Sequence, residues 1–234
     1  MRLQRDQIIQ TAIRLLDKAG LDALTMRRLG EELSVQAATL YWHVKNKQEL
    51  LDAMAEEMLA GCVASPPVGA GWEEQVLELA ERLRAALLAH RDGARVFAGT
   101  FVVEQNMLRF SEMVVGTLMR GGFPPRSGAW GSWTLVYYVI GFTLEEQALS
   151  ALPEAGRGKG DVAQLRAALE GPGFPHLREA FPYLVDADLD ARFRYGLQRI
   201  VRGLAAELDG EPRGKASPVP PRARAARSPS KRRG

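Results

Sequence analysis

Cysteine is almost absent from this 234-residue sequence, which contains only Cys62. One thiol excludes an internal disulfide framework and a cysteine-based zinc finger, and it fits a reducing compartment. The first six residues lack the apolar core of a signal peptide. The longest apolar stretch, residues 133–144, is well short of the ~20 residues that a helix needs to cross a bilayer. We therefore expect a cytoplasmic protein that has no membrane partner.

Groups that carry catalysis are scarce as well. The sequence has three histidines, His43, His90 and His176, which lie far apart. It has no glycine-rich phosphate loop, no nucleophile elbow and no cluster of residues spaced as metal ligands. Helix capping and packing explain His90 and its neighbour Asp92 more simply than catalysis does. We expect no enzymatic activity, no cofactor and no metal site.

Acidic residues are missing from the end of the chain. Residues 212–234 contain eight basic residues and no acidic one. Removing these eight charges from the net charge of +3 leaves −5 for residues 1–211, so the basic character belongs to the tail. Its composition of Pro, Ser, Ala and Arg predicts disorder. The tail could add salt-sensitive affinity for DNA, or it could be a solubilising extension without a role.

The spacing of apolar residues is helical almost throughout, which predicts an all-α fold. Gly20 is the expected left-handed C-cap of the first helix, Thr25 is the expected N-cap of the second, and Asn46 with Glu49 forms a capping box before the fourth. Residues 153–175 are predicted to be a mobile loop with one short helix in it. The remaining expected helices span residues 5–19, 36–42, 72–90, 93–99, 103–121, 127–149 and 188–208.

The first three helices have the proportions of a helix-turn-helix, with a tight turn at residues 34–35. In the short third helix, only Leu40 is strongly apolar and expected to point inward. Its other side chains offer hydrogen-bonding groups and aromatic surface suited to base edges, thymine methyls and phosphates in a major groove. Those side chains, with the nearby basic residues, are Gln36, Thr39, Tyr41, Trp42, His43, Arg27, Arg28, Lys45 and Lys47. From spacing alone, the two rings could equally be core aromatics and the lysines a solvated face.

One run of residues narrows these alternatives. Residues 39–47 read Thr-Leu-Tyr-Trp-His-Val-Lys-Asn-Lys, which resembles the signature of the TetR family of bacterial repressors. The resemblance continues, in the same order and at similar spacing, at residues 50–53, 87–94, 99–100 and 144–147. It implies an N-terminal helix-turn-helix followed by a larger helical domain for ligand binding and dimerisation.

The resemblance suggests where the domains divide. We expect a DNA-binding domain at residues 1–46, a connecting helix at residues 47–65 and a ligand-binding and dimerisation domain at residues 66–209. Residues 210–234 form the basic tail, to which the family resemblance does not extend.

The resemblance also implies roles for single residues. In the family, the residue matching Arg27 reads a guanine, and the helix matching residues 36–42 enters the major groove. This chain departs from the tetracycline-binding members at Ala37 and Ala38, where those proteins carry Gln and Pro. Because Ala37 offers only a methyl contact, we expect a different operator sequence. The predicted DNA-binding residues are Arg27, Arg28, Gln36, Ala37, Thr39, Tyr41, Trp42, His43 and Lys47.

The ligand side departs further from those members. They hold a magnesium–tetracycline chelate through a His that matches Phe97, and a phenyl ring cannot bind a hard cation. Glu145 matches an acid that holds a metal-bound water, but one outer carboxylate is poor support for a metal. We expect a metal-free pocket for a largely apolar or aromatic compound with one or two polar anchors. Its candidate residues, each of which could also be ordinary core, are Leu79, Leu83, Phe97, Thr100, Phe101, Met113, Trp133 and Tyr137.

The predicted helix at residues 127–149 is apolar on too many sides for a surface helix, so it needs a surrounding core or a partner subunit. Together with residues 188–208, it resembles the pair that forms a four-helix bundle across the family's two-fold axis. A two-fold dimer would place two reading helices about one DNA turn apart, or slightly more, on a roughly palindromic operator.

Residues 90–100 are expected to link the ligand site to the DNA-binding domain.

The sequence therefore predicts a homodimeric transcriptional repressor. It would bind double-stranded operator DNA and release it when a small-molecule effector occupies the C-terminal domain. Two alternatives stay open: an activator of the same family, and a helical ligand-binding protein that no longer reads DNA.

Overall fold

A computed structural model describes residues 3–98, 100, 103–151, 159–171 and 173–210. Within these ranges all regular secondary structure is helical and there is no β-strand, so the all-α prediction is confirmed. The described helices are α1 (Arg5–Ala19), α2 (Met26–Glu32), α3 (Ala37–Leu40), α4 (Lys47–Met58), α5 (Trp72–Leu88), α6 (Gly93–Phe97), α7 (Gln105–Arg120), α8 (Pro125–Ala151), α9 (Lys159–Leu169), α10 (Pro175–Leu184) and α11 (Leu189–Gly210). No helix in the described ranges is both long enough and apolar enough to span a membrane.

Helices α1–α4 form an N-terminal head whose buried side chains are continuous with the apolar core of the later helices. Helix α1 contributes Ile8, Ala12 and Leu16, which recur on one face and are fully buried. The predicted caps are present: the Thr25 hydroxyl accepts from the Arg28 N–H at 3.2 Å, and Asn46 Oδ1 accepts from the Glu49 N–H at 2.8 Å.

Two features of the caps differ from prediction. The Glu49 carboxylate reaches past Asn46 and accepts from the Lys45 N–H at 2.7 Å, so it closes the turn before α4. Gly20 ends α1 with the expected positive φ, 81°, but its ψ is 167°, which is extended and not left-handed helical. The extended conformation leads the chain at once into the 3₁₀ turn Leu21–Ala23.

Helix α8 is the centre of the C-terminal domain and packs against α5, α6, α7 and α11. At one end of this core, the Arg84 guanidinium lies 4.7 Å from the centroid of the Phe193 ring. Its nitrogens lie 2.7 Å from a Glu146 oxygen and 2.6 Å from an Asp190 oxygen. One half-buried cation therefore ties α5 to both α8 and α11.

The loop predicted at residues 153–175 contains one helix, α9, as expected. A further helix, α10, follows it and was not predicted. A proline at the first position of α10, Pro175, is compatible with a helix because no N–H bond is needed there. Phe181 of α10 is buried, with the Arg166 guanidinium 5.0 Å from its ring centroid. Packing on α9 therefore stabilises α10 at the end of the proline- and glycine-rich stretch. Residues 152–158, 172 and 211–234 lie outside the described residues.

Asp92 occupies the expected N-cap position of α6, but its side chain does not cap the helix. Its backbone has a φ of 57°, in the left-handed region, and its side chain makes no cap hydrogen bond to α6. The carboxylate instead accepts from the Leu21 N–H at 2.8 Å and pairs with Arg95 at 3.2 Å. Asp92 thus joins the C-terminal domain to the head.

The close approach of α5 and α6 generates a stability prediction. A Cβ at Gly93 would lie 2.2 Å from the Leu87 carbonyl oxygen, so Gly93→Ala requires a backbone shift. We expect this change to lower the free energy of unfolding by about 3 kcal/mol, as overpacking does. Urea denaturation measures the loss.

Gly61→Ala is the matched control, because a Cβ there meets nothing within 4 Å. It should change the free energy of unfolding by less than about 0.5 kcal/mol. Equal stability of the two variants would show that α5 and α6 are not this close.

Candidate nucleic-acid interface and ligand cavity

The turn between α2 and α3 fixes how the two helices cross. The Val35 N–H donates to the Gly30 carbonyl at 2.9 Å, and Ser34 occupies the left-handed region with a φ of 55°. A Cβ at Gly30 would lie 2.9 Å from the Val35 oxygen and 3.2 Å from the Ala37 nitrogen. The glycine therefore allows a backbone-to-backbone contact that sets the direction of α3.

Helix α3 is held to the head from one side. Leu40 and Val44 are completely buried, whereas the other side chains of residues 36–45 are half-buried or exposed. Trp42 is 89% exposed and Tyr41 is 50% exposed. The interpretation of these rings as core aromatics is therefore wrong, because the leucine and the valine take the inward positions. Helix α3 is also shorter than the predicted 36–42, with Gln36 as N-cap and Tyr41 as C-cap.

The other predicted DNA-binding residues lie on the same two packed elements or next to them. Arg27, Arg28, Gln36 and Lys47 are exposed, whereas Ala37, Thr39 and His43 are half-buried. The Arg27 guanidinium is 2.9 Å from the Glu31 carboxylate, and both side chains are mostly in solvent. An exposed pair of this kind is weak, so it leaves Arg27 available to a phosphate or base.

A cavity of about 360 Å³ lies in the C-terminal domain between the end of α6, α7 and α8. Four of the predicted pocket residues, Phe97, Thr100, Trp133 and Tyr137, line it. Its other lining residues are Val103, Met107, Leu108, Phe110, Ser111, Val115, Ala129, Ser132, Val136 and Ile140. Sequence reasoning missed the α7 contribution, although the recurrence of apolar residues at three- and four-residue spacing could have revealed it.

Three predicted pocket residues lie elsewhere. Leu79 and Leu83 are buried in the core, where they line a separate small void that shares Phe110 and Val136 with the cavity. Met113 lies two positions from Ser111, about 200° round α7, and faces an open groove beside residues 63–67. Phe101 lies outside the described residues.

The cavity wall is aromatic and uncharged. The Trp133 and Tyr137 rings stack with centroids 5.3 Å apart, and each is about half exposed. The hydroxyls of Thr100, Ser111 and Ser132 are polar points on the wall, and none of the described lining residues carries a charge. In the described ranges, no three His, Cys, Asp or Glu side chains are grouped so that they could hold a metal ion. This chemistry suits a neutral aromatic molecule.

Residues 90–95 rest on the head through charged contacts. The Asp17 carboxylate accepts from the Arg91 N–H at 3.1 Å and lies 3.1 Å from His90 Nδ1. Arg95 pairs with Asp22 at 2.9 Å, and its guanidinium holds the pKa of the Asp22 carboxyl below the usual value. The cavity-lining end of α6 is thus a few residues from a segment bonded to α1.

The same two-part arrangement recurs in known proteins. Residues 8–54 match the family model of bacterial regulatory proteins of the tetR family, and residues 65–208 match that of the tetracyclin repressor-like C-terminal domain. The chain belongs to the TetR family of bacterial regulatory proteins. The family resemblance read from residues 39–47 is confirmed.

Individual relatives of the TetR family align over nearly the whole folded part. The class A tetracycline repressor from transposon 1721 of Escherichia coli is 39% identical over 206 residues, which are 87% of this chain and 91% of that protein. ActR from Streptomyces coelicolor, solved in complex with actinorhodin, superposes with a TM-score of 0.80 at 34% identity, covering 90% and 100% of the two chains. BioQ, solved with its double-stranded DNA operator, superposes with a TM-score of 0.64 at 30% identity, covering 88% and 99%.

The Gly30 contact leads to a prediction about the head. In Gly30→Ala, the added methyl must push the turn at Val35 away, and we expect the free energy of unfolding to fall by about 2 kcal/mol. Thermal unfolding followed by circular dichroism measures this loss. Ser34→Gly, at a left-handed position that glycine adopts freely, is the control and should unfold at the parent's temperature. If Gly30→Ala did so too, the turn would not depend on the close approach.

Proposed function

We propose that this chain is a ligand-responsive repressor that binds operator DNA as a homodimer and releases it when a small molecule fills the cavity. The observation that carries the proposal is the outward face of α3. Trp42 is almost fully exposed although Leu40, two residues before it, is completely buried. A ring that projects beside basic residues offers contact surface to a partner, and a DNA major groove accepts such a short helix.

The neighbouring groups fit contact with a duplex. Arg27 can reach the O6 and N7 acceptors of a guanine as a bidentate donor. Tyr41, His43 and Lys47 offer donors to phosphate oxygens, which position a protein without reading sequence. BioQ, a relative of the same architecture, was solved with its operator.

Dimerisation is supported by apolar surface that a single chain leaves uncovered. On α8, Trp130 is 61% exposed and is not part of the cavity lining. Tyr195 on the adjacent α11 is also mostly exposed. A two-fold partner would cover this face with its own copy of the same surface.

The effector is proposed to be a neutral, largely apolar aromatic compound. The stacked Trp133 and Tyr137 rings offer it a flat surface, and the hydroxyls near them offer hydrogen bonds. ActR, which shares this fold, was solved with actinorhodin. A phenyl ring at Phe97 leaves no group on the end of α6 that could hold a hard cation.

Arg27 is expected to specify one base pair. Arg27→Ala should weaken operator binding by about 1–3 kcal/mol and relax the preference at one position of each half-site. The measurement is a gel-shift series on duplexes selected from a random pool and then varied base by base. Arg109→Ala, an exposed arginine on α7, is the control that should preserve affinity and preference. An unchanged base preference in Arg27→Ala would contradict the assignment.

The cavity is expected to work without a metal. Calorimetric titration with tetracycline should give the same result with and without Mg²⁺, since the described residues of the wall include no imidazole or carboxylate group. Binding that appears only with Mg²⁺ would refute the metal-free cavity.

A neutral aromatic dye, N-phenyl-1-naphthylamine, tests the same cavity directly. Its fluorescence should rise on binding, and Trp133→Ala should weaken that binding about tenfold, because the stacking surface is lost. Met113→Ala is the matched control, because Met113 faces away from the cavity.

A further inference from the structure

The N-terminus of α7 has no cap of its own. Its N-cap residue, Glu104, makes no side-chain hydrogen bond to the first turn. The first N–H groups of a helix have no acceptor within the helix, so an outside group must satisfy them. Here that group comes from α4: the Asn106 and Met107 N–H groups donate to the two oxygens of Glu56, at 2.5 and 3.0 Å. A carboxylate is favourable at this position because it faces the positive end of the helix dipole.

A third hydrogen bond joins α4 to α7, again between Glu56 and Asn106. The Asn106 side-chain nitrogen donates to the Glu56 backbone carbonyl at 3.2 Å. Glu56 is half-buried between the two helices. Its neighbour Glu57 is exposed and accepts from Gln10 of α1 at 2.8 Å, which is a contact within the head. Of these adjacent acids, Glu56 is the one bonded across to the C-terminal domain.

Met107 connects this joint to the cavity. Its backbone N–H is bonded to Glu56, and its side chain lines the cavity together with Leu108, Phe110 and Ser111 of the same turns. Helix α4 begins at Lys47, nine residues before Glu56, which is about 14 Å along the helix. A molecule that displaces the backbone of Met107 must therefore either move the Glu56 end of α4 or break two charge-assisted hydrogen bonds.

We propose that Glu56 is a positioning residue that couples occupancy of the cavity to the orientation of α4 and hence of α3. The coupling depends on two arrangements of one joint, with the carboxylate engaged on α7 or released from it. It rests on the proposed function, since it supplies a route by which the effector changes DNA binding. This route is distinct from the contacts of Asp17, Asp22 and Asp92, which join the head to residues 90–95 and not to α7.

The two amides held by Glu56 report directly on the joint. Hydrogen–deuterium exchange of residues 104–111 is measured in the full chain, free and saturated with the tightest duplex selected from a random pool. In the free protein, Glu56→Ala should speed exchange of the Asn106 and Met107 amides about fivefold, because their acceptor is lost. In the parent, binding of the duplex should change the exchange of these amides by about fivefold or more.

The variants separate coupling from simple capping. Glu56→Ala should lose the duplex-dependent change, and Glu56→Gln, which keeps one acceptor oxygen without the charge, should retain part of it. Glu57→Gln is the matched control and should behave as the parent.

The same duplex-dependent change in Glu56→Ala as in the parent would overturn the proposal. A parent that binds the duplex without any change in these amides would also overturn it, while leaving the repressor function standing. A chain that binds no duplex would remove the proposed function, and the coupling with it.

Discussion

The complete burial of Leu40 and Val44 is the constraint on which the outer face of this protein depends. A helix of four residues has too few side chains to present two packed faces, so anchoring α3 from one side leaves Tyr41 and Trp42 in solvent. The direct backbone contact at Gly30 then fixes the angle at which this small unit leaves α2. Together, the buried anchors and the Gly30 contact hold α3 so that Tyr41 and Trp42 project from the head.

In the head, three basic side chains lie around α3, and three acidic side chains lie on the side that contacts the C-terminal domain. Arg27, Arg28 and Lys47 face solvent around α3, where an anionic duplex would lie. The acids Asp17, Asp22 and Glu56 face the C-terminal domain and take its N–H groups and Arg95 as partners. The folded part can therefore carry net negative charge and still present a basic surface, because position and not total charge decides the local field.

The cavity shows why a list of pocket residues drawn from sequence is incomplete. Trp133 and Tyr137 of α8 and Phe97 at the end of α6, all proposed from the sequence, line the cavity. Leu79 and Met113, proposed in the same way, do not line it, because apolar residues occur on several faces of a packed helix. Which face meets the cavity depends on how α5, α7 and α8 pack against one another.

The sequence alone determined the helical class, the caps at Thr25 and Asn46 and the short helix with its family signature, since each depends on neighbours within a few residues. Helix α10, the role of Asp92 and the Glu56 cap on α7 were decided only in the folded molecule. Those features join residues up to 71 positions apart, and hydrogen bonds and packing at such separations leave no periodic trace in a chain.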